Sequence, residues 1–267
     1  MIPRMKRRSL FIGAAAAGLA APVLASGPTP AAARPRGATA TSDTVLPGPK
    51  RKWPVAPDNK AARLTTLPPT TQQVIIVTGN SYTTTYATLE TFQRIRGVWT
   101  PISAPLAARI GSNGFSDNHL EGVPNTPTGV YSIGPTMYGI AANPGVSYPY
   151  HRLVTNDWWN ENPDSPAYNS FQHTATNPGG YSEALWRETP AYTHFAVITY
   201  NMAPNVATPV PGAGSGIFLH EFSRTPSGPT AGCVSLSHGD LVSVLTWLKP
   251  ELMPRIVLCP AQNLSRY

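Results

Sequence analysis

The chain has 267 residues, enough for one domain of ordinary size with additional segments. Only 12% of its residues are charged, whereas proline (30) and glycine (22) are frequent, so the composition favours a turn-rich, mainly β fold over long amphipathic helices. The net charge of +7 comes from residues 1–64, which carry 11 basic and 2 acidic residues, while the remainder has a net charge of −2. A nucleic-acid-binding domain needs a basic folded surface, so that class of protein is excluded.

The first 25 residues have the three parts of a signal peptide: a basic stretch, an apolar stretch and small residues at Val23-Leu24-Ala25 before a predicted cleavage. The run Arg7-Arg8-Ser9-Leu10-Phe11 is typical of a twin-arginine signal, and an ordinary secretory signal with two arginines is the alternative. We therefore expect an exported protein, located in the periplasmic space, the cell wall or the extracellular medium. Because no later apolar run reaches about 18 residues, no membrane span is expected after signal cleavage.

Residues 26–70 are predicted to be a flexible segment, because a Pro-, Ala- and Thr-rich composition cannot bury enough apolar surface to offset the entropy of ordering. Residues 71–267 are predicted to form the folded domain. A helix is expected over Leu241–Leu248, with Asp240 or Ser237 as its cap. Apolar or alternating runs predict the following strands: Gln73–Thr78, Tyr82–Ile95, Val98–Trp99, Thr128–Gly134, Phe195–Tyr200, Gly216–His220 and Arg255–Cys259.

Residues 143–190 contain many aromatic residues but few aliphatic runs, which predicts a long ordered excursion from the sheet. Long ordered loops often carry function. The alternative is that the aromatic side chains only pack the loop against the domain.

A histidine at a predicted strand end and a cysteine after a turn-rich loop form the candidate site. A thiolate is the reactive form of cysteine, and His220 is a suitable base for Cys233 because its pKa lies near neutrality. Gly232 lets a carbonyl substrate approach the backbone, and consecutive amides, including those of Ala231 and Gly232, could bind an oxyanion. The sequence therefore predicts nucleophilic catalysis by a cysteine.

Three alternatives compete with this interpretation. Exported cysteines often form disulfides, so Cys233 could be bonded to Cys259, which is otherwise expected to be a core residue. His238 could replace His220 as the base, although a solvated turn position suits it equally well. A zinc site of Cys233 and these two histidines lacks the paired spacing typical of zinc sites, so we predict neither a metal nor an organic cofactor.

These residues resemble the catalytic motif of L,D-transpeptidases of the YkuD type, especially the secreted ErfK/YbiS-like branch. In that family a strand-end histidine precedes a Ser/Thr-x-Gly-Cys-Val run, which His220 and Thr230-Ala-Gly-Cys-Val234 match. Three positions differ from those of many members: Ala231 replaces His, Ser235 replaces Arg or Asn, and Glu221 replaces a small residue. The resemblance covers about Gln72 to Pro260 and includes Gly111-Ser-Asn-Gly-Phe115, Asn125-Thr-Pro-Thr-Gly-Val-Tyr131, Pro163-Asp-Ser-Pro-Ala-Tyr-Asn169 and Ser182-Glu-Ala-Leu185.

The resemblance implies a β-sandwich of mixed sheets with a helix after the cysteine. It also implies a monomeric enzyme that acts on peptidoglycan stem peptides in cell-wall biosynthesis and the maintenance of cell shape. Cys233 would form a thioester with a donor stem, and an amine of a neighbouring stem would accept the acyl group in a 3→3 cross-link. The alternatives are an L,D-carboxypeptidase, in which water is the acceptor, and a catalytically weak wall-binding module.

Four further residues are candidates for contacts with the stem peptide. Each has an alternative role, in which its side chain only completes a strand or a turn. The candidates are Thr230, Ser235, Tyr200 and Asn201.

Overall fold

A computed structural model of the chain describes residues 59–224 and 227–267. The predicted signal peptide and most of the predicted flexible segment lie outside the described residues. Within these two ranges there are fifteen β-strands and one α-helix. The strands are β1 Gln73–Gly79, β2 Tyr86–Ile95, β3 Val98–Pro101, β4 Leu106–Arg109, β5 Phe115–Ser116, β6 Thr126–Pro127, β7 Gly129–Gly139, β8 Tyr150–Arg152, β9 Asp157–Asn160, β10 Ser170–His173, β11 Glu183–Ala184, β12 Phe195–Ile198, β13 Phe218–Glu221, β14 Val234–Leu236 and β15 Arg255–Pro260.

The helix predicted after the cysteine is confirmed as α1, His238–Trp247. It begins three residues earlier than the apolar spacing indicated, because Ser237 is the cap: its side chain accepts a hydrogen bond from the backbone N–H of Asp240 at 3.3 Å. Short 3-10 helices cover Lys60–Arg63, Leu185–Arg187, Pro250–Leu252 and Ala261–Arg266. In the part of the chain that the structure describes, none of these helices has the length and apolar composition to cross a bilayer.

Eight strands form one mixed sheet in the order β1-β15-β7-β12-β13-β14-β4-β2. Because β2 also pairs with β1, this sheet closes on itself, and we call these eight strands the ring. Strand β3 adds to β2, and β8 adds to β7. The pairs β1–β15 and β13–β14 are parallel, and the other pairs in the ring are antiparallel. The predicted fold class, mainly β with mixed sheets and a helix after the cysteine, is confirmed. The layers expected of a sandwich are parts of this one closed sheet.

The main core lies inside the closed sheet, because alternate side chains of every ring strand point to the same cluster. Helix α1 adds Leu241, Val244 and Leu245 to this cluster. Each fully buried leucine side chain contributes about 1.5–3 kcal/mol relative to an exposed one. The ring residues of this cluster include Ile75, Val77, Leu89, Ala108, Ile133, Met137, Ala196, Ile198, Leu219, Val234, Leu236, Ile256 and Leu258.

The outer face of the sheet is covered in two separate places. Residues 60–67 pack over β1 and β15, although the sequence predicts a flexible segment there. Ala61 is fully buried, and Leu64 and Leu67 pack beside it. The C-terminal residue also holds this segment, because the carbonyl of Tyr267 accepts from the N–H of Thr66 at 3.0 Å. The folded domain therefore begins before residue 71.

The long excursion covers the outer face at β12 and β13. Its core is a three-stranded sheet in the order β10-β9-β11. The ring of Trp159 on β9 packs edge-on against Phe218 on β13, with 5.0 Å between ring centroids. The aromatic residues therefore hold the excursion against the closed sheet, and they cover the beginning of β13.

Helix α1 should be necessary for the stability of the ring core. Leu245→Ala leaves a cavity among fully buried side chains and should lower the free energy of unfolding by about 2–5 kcal/mol. Urea unfolding followed by tryptophan fluorescence measures this. Val242→Ala, a half-buried position on the same helix, is the control and should cost about 1 kcal/mol or less. Equal losses in the two variants would contradict a core role for α1.

Candidate active site

The parallel pairing of β13 and β14 brings the two predicted catalytic residues together. His220 stands opposite Ser235 in the register, and Cys233 directly precedes β14. The backbone N–H of Phe218 donates to Cys233 Sγ at 3.3 Å, so the thiol lies at the beginning of β13 while the imidazole lies near its end. Cys233 and Phe218 belong to the cluster beneath the excursion, so this site is on the outer face of the ring.

The Cys233 thiol has two backbone partners. Its S–H donates to the carbonyl of Gly216 at 3.3 Å, and it accepts from the N–H of Phe218. Cys233 is 8% exposed. The N–H of Phe218 would stabilise a thiolate, whereas burial and the bond to Gly216 stabilise the thiol, so formation of the thiolate here requires a base.

The ring of His220 is oriented by the backbone of the next residue. Its Nδ1–H donates to the carbonyl of Glu221 at 2.6 Å, which assigns the tautomer in which Nε2 is the acceptor. Tyr192 packs edge-on against the ring at 5.6 Å between centroids. Burial lowers the pKa of His220 to about 4. The imidazole is therefore neutral at neutral pH and available as a base.

The turn before Cys233 requires glycine. Gly232 has φ +149°, and a Cβ there would lie 3.0 Å from the carbonyl oxygen of Asn125. The N–H of Gly232 donates to Thr230 Oγ1 at 3.1 Å, and Thr230 Oγ1 donates to the carbonyl of Cys233 at 2.6 Å. Thr230 therefore shapes the turn. The oxyanion role of Ala231 and Gly232 stays a prediction, as does a substrate contact by Thr230.

The sequence did not predict the residues of the 119–126 segment that support this turn. Thr126 Oγ1 accepts from the N–H of Gly111 at 2.9 Å and donates to the carbonyl of Gly232 at 2.7 Å. His119 Nδ1 and Asn125 Oδ1 are 2.5 Å apart, with the ring nitrogen as donor, and burial lowers the pKa of His119. Thr126 lies in a segment that resembles the family, whereas no sequence pattern pointed to His119.

Tyr200 and Asn201 support the loop that leads to the thiol. The hydroxyl of Tyr200 donates to the carbonyl of Ala213 at 2.7 Å, and Asn201 Nδ2 donates to the carbonyl of Gly214 at 2.9 Å. This loop continues to Gly216, the acceptor of the Cys233 thiol. Contact of either side chain with substrate stays a prediction.

Ser235 lies between two larger side chains in the register of the sheet. It stands opposite His220 on β13 and Arg109 on β4, and it is 1% exposed. Its predicted contact with substrate also stays a prediction.

The second cysteine is in a different part of the fold. Cys259 is fully buried in the cluster beneath residues 60–67, and burial raises the pKa of its thiol to about 12. Neither cysteine forms a disulfide. The disulfide alternative is therefore wrong, and the expectation that Cys259 is a core residue is confirmed.

His238, the first residue of α1, bonds to a carboxylate on the last residue of β13. Its Nδ1 bonds Glu221 Oε2 at 2.8 Å, and its side chain is 54% exposed, as expected of a solvated turn residue. Across the described ranges, no three His, Cys, Asp or Glu side chains are arranged to hold one metal ion. The expectation of a cofactor-free site stays a prediction.

The thiol that directly precedes β14 and the neutral imidazole on β13 are the two residue types that cysteine-dependent acyl-transfer enzymes use. The family model of the YkuD L,D-transpeptidase catalytic domain matches residues 72–257. The chain therefore belongs to the L,D-transpeptidase catalytic-domain family, whose activity is directed at peptidoglycan. Comparison with curated proteins found no significant match, and neither did comparison with solved structures. Membership of the ErfK/YbiS-like branch stays a prediction.

The two thiols should differ strongly in reactivity. Iodoacetamide at pH 8 should modify Cys233 in the folded protein, whereas Cys259 should react only in denaturant, because it is fully buried with a pKa of about 12. Peptide mapping by mass spectrometry after labelling identifies the modified residue. Preferential labelling of Cys259 in the folded state would contradict the described burial.

The buried imidazole should make stability depend on pH. The pKa of His220 is depressed in the folded state, so the unfolded state binds the proton more readily, and stability is lost as the pH falls from about 6.5 towards 4. This loss should be about 3 kcal/mol in wild type and should be absent from His220→Gln. The change in urea midpoint between pH 7 and pH 4.5 is measured for each protein. The change in wild type minus the change in His220→Gln is the contribution of His220. Parallel pH profiles would show that His220 titrates normally in the fold.

Proposed function

We propose that this protein is a peptidoglycan L,D-transpeptidase that forms 3→3 cross-links through a Cys233 thioester, with His220 as the base. The observation that supports it most directly is the parallel pairing of β13 with β14, since a thiol with two backbone partners directly precedes β14 and a neutral, oriented imidazole lies on β13. Family membership supplies the substrate class.

In the first half-reaction, His220 Nε2 takes the proton of the Cys233 thiol. The thiolate attacks the carbonyl carbon of the third, diamino-acid residue of a donor stem tetrapeptide. When the tetrahedral intermediate collapses, the bond to the terminal D-alanine nitrogen breaks, and the His220 imidazolium gives its proton to that leaving amine. A thioester and a neutral imidazole remain.

In the second half-reaction, an amine on the diamino acid of a neighbouring stem attacks the thioester. A new amide bond forms, the carbon–sulfur bond breaks, and Cys233 is restored as a thiol. If water attacks instead, the product is a tripeptide and the enzyme acts as an L,D-carboxypeptidase. A Cys233 thiol that is not consumed in a disulfide is less consistent with the third alternative, a catalytically weak wall-binding module.

A carbapenem should acylate Cys233. Intact mass measurement of the purified protein should show one covalent adduct on wild type and none on Cys233→Ala, because acylation needs the thiolate at this position. His220→Gln should slow adduct formation by about 10²-fold or more, the usual size of a general-base contribution.

Two controls complete this measurement. Cys259→Ser should still form the adduct, because its thiol lies in a separate cluster. Wild type that stays unmodified, with both thiols titrating as free, would reject the nucleophile assignment and leave the wall-binding alternative. Incubation with disaccharide-tetrapeptides then separates transfer, seen as a dimer, from hydrolysis, seen as a tripeptide.

A further inference from the structure

The excursion places a carboxylate against Gly216, the residue whose carbonyl accepts from the Cys233 thiol. Cys233 Sγ lies between the N–H of Phe218 and the carbonyl of Gly216. Trp159 covers Phe218, and Glu161, two residues further along the same segment, lies against Gly216. A Cβ at position 216 would be 2.0 Å from Glu161 Oε1. Trp159 and Glu161 therefore form one wall of the site around the sulfur.

The close approach of this carboxylate depends on the backbone at position 216. Gly216 has φ +62°, so both its conformation and the space that Glu161 occupies exclude larger residues. The backbone of Glu161 is also held, because its N–H donates to Ser182 Oγ at 3.0 Å. Glu161 is only 5% exposed.

The environment of Tyr192 gives independent support for this placement. Its ring packs edge-on against both Phe218 and His220, so it lies in the same site. Burial raises the pKa of Tyr192 well above its usual value, and the charges of Glu183, Cys233 and Glu161 raise it further. The carboxylate of Glu161 and the sulfur of Cys233 therefore act on the same buried ring.

We propose that Glu161 receives the ammonium group of the acceptor stem beside the thioester and takes a proton from it, which directs the acyl group to an amine rather than to water. This inference rests on the proposed function and deepens it by naming a residue for the acceptor. An amine that is protonated at neutral pH must lose a proton before it can attack, and a buried carboxylate both attracts the cation and accepts that proton.

The proton balance of the step is complete. Glu161 takes one proton from the acceptor ammonium, and the neutral amine attacks the thioester carbonyl. His220 Nε2 takes a second proton from the nitrogen as the carbon–sulfur bond breaks, and the imidazolium then returns it to the Cys233 thiolate. The amide product leaves, and Glu161 releases its proton to solvent.

The test measures the ratio of dimer to tripeptide formed from a tetrapeptide donor and an amine acceptor. Both products come from the same thioester, so the ratio does not depend on the rate of acylation. Glu161→Gln should lower this ratio at least about tenfold, the loss expected when a charge-assisted hydrogen bond is removed. Asp164→Asn, an exposed carboxylate three residues further on, is the matched control and should keep the wild-type ratio.

A neutral nucleophile separates charge recognition from a structural role. Hydroxylamine is mostly uncharged at neutral pH, so Glu161→Gln should depress its transfer far less than transfer to the ammonium acceptor. An unchanged dimer-to-tripeptide ratio in Glu161→Gln, or an equal loss for both nucleophiles, would overturn the inference while the proposed function stands. Wild type that releases only tripeptide would reject both the inference and the cross-linking activity, in favour of the L,D-carboxypeptidase. Wild type that is never acylated would reject the thioester mechanism itself.

A second measurement on wild type covers the case in which Glu161→Gln fails to fold. An acceptor stem with a dimethylated amine keeps its positive charge but cannot form an amide, and an acetylated stem is uncharged. The dimethylated stem should inhibit transfer with an inhibition constant at least about tenfold lower than that of the acetylated stem. Equal inhibition by the two stems would overturn the inference.

Discussion

The parallel pairing of β13 with β14 is the interaction on which the site depends. It joins two segments that are separated by a turn-rich loop, and it fixes their register through backbone hydrogen bonds rather than through that loop. The sulfur is held by backbone groups of residues 216 and 218, and the imidazole by the carbonyl of residue 221. The sulfur of Cys233 and the Nδ1 atom of His220 therefore both have main-chain partners. The side chains of Thr230 and Tyr192 add to this support, through the turn and through the imidazole ring respectively.

The ring and the excursion contribute different parts of this site. The ring supplies the rigid strands, since each of its eight strands has two neighbours and contributes to one enclosed core. The excursion supplies the wall, through Trp159 on Phe218 and Glu161 on Gly216. A change in the excursion can thus alter what reaches the sulfur without altering the relation between Cys233 and His220.

The strands with strong apolar patterns were predictable from sequence, as β1, β12 and β15 show, because a fully buried strand is a continuous apolar run. The strands of the excursion were not, since β9 and β10 are four residues each and consist largely of polar and aromatic residues. Closure of the ring was also not predictable from the sequence. It depends on the pairing of β1 with both β2 and β15, and no local pattern indicates which strands pair.

The same limit applies to the site. Cys233 and His220 were found because a local motif carries them. His119, Thr126 and Glu161 act from segments about 60 to 115 residues away in sequence, and only the fold brings them to the turn and to Gly216. The expected start of the helix at Leu241 is a smaller error of the same origin, although Ser237 was one of the two predicted caps. The apolar spacing marked the buried face of the helix, whereas the cap lies one turn earlier, where the polar residues begin.

Ring closure also bears on how this protein meets copies of itself. An open sheet ends in unpaired N–H and C=O groups that can recruit another chain, but the eight ring strands have no such edge. The two strands appended to the ring have only four and three residues, and they carry Pro101 and Arg152, which are poor partners for a further strand. Self-association by extension of the closed sheet is therefore disfavoured, and β10 and β11 of the excursion are left as the edges through which a further strand could add.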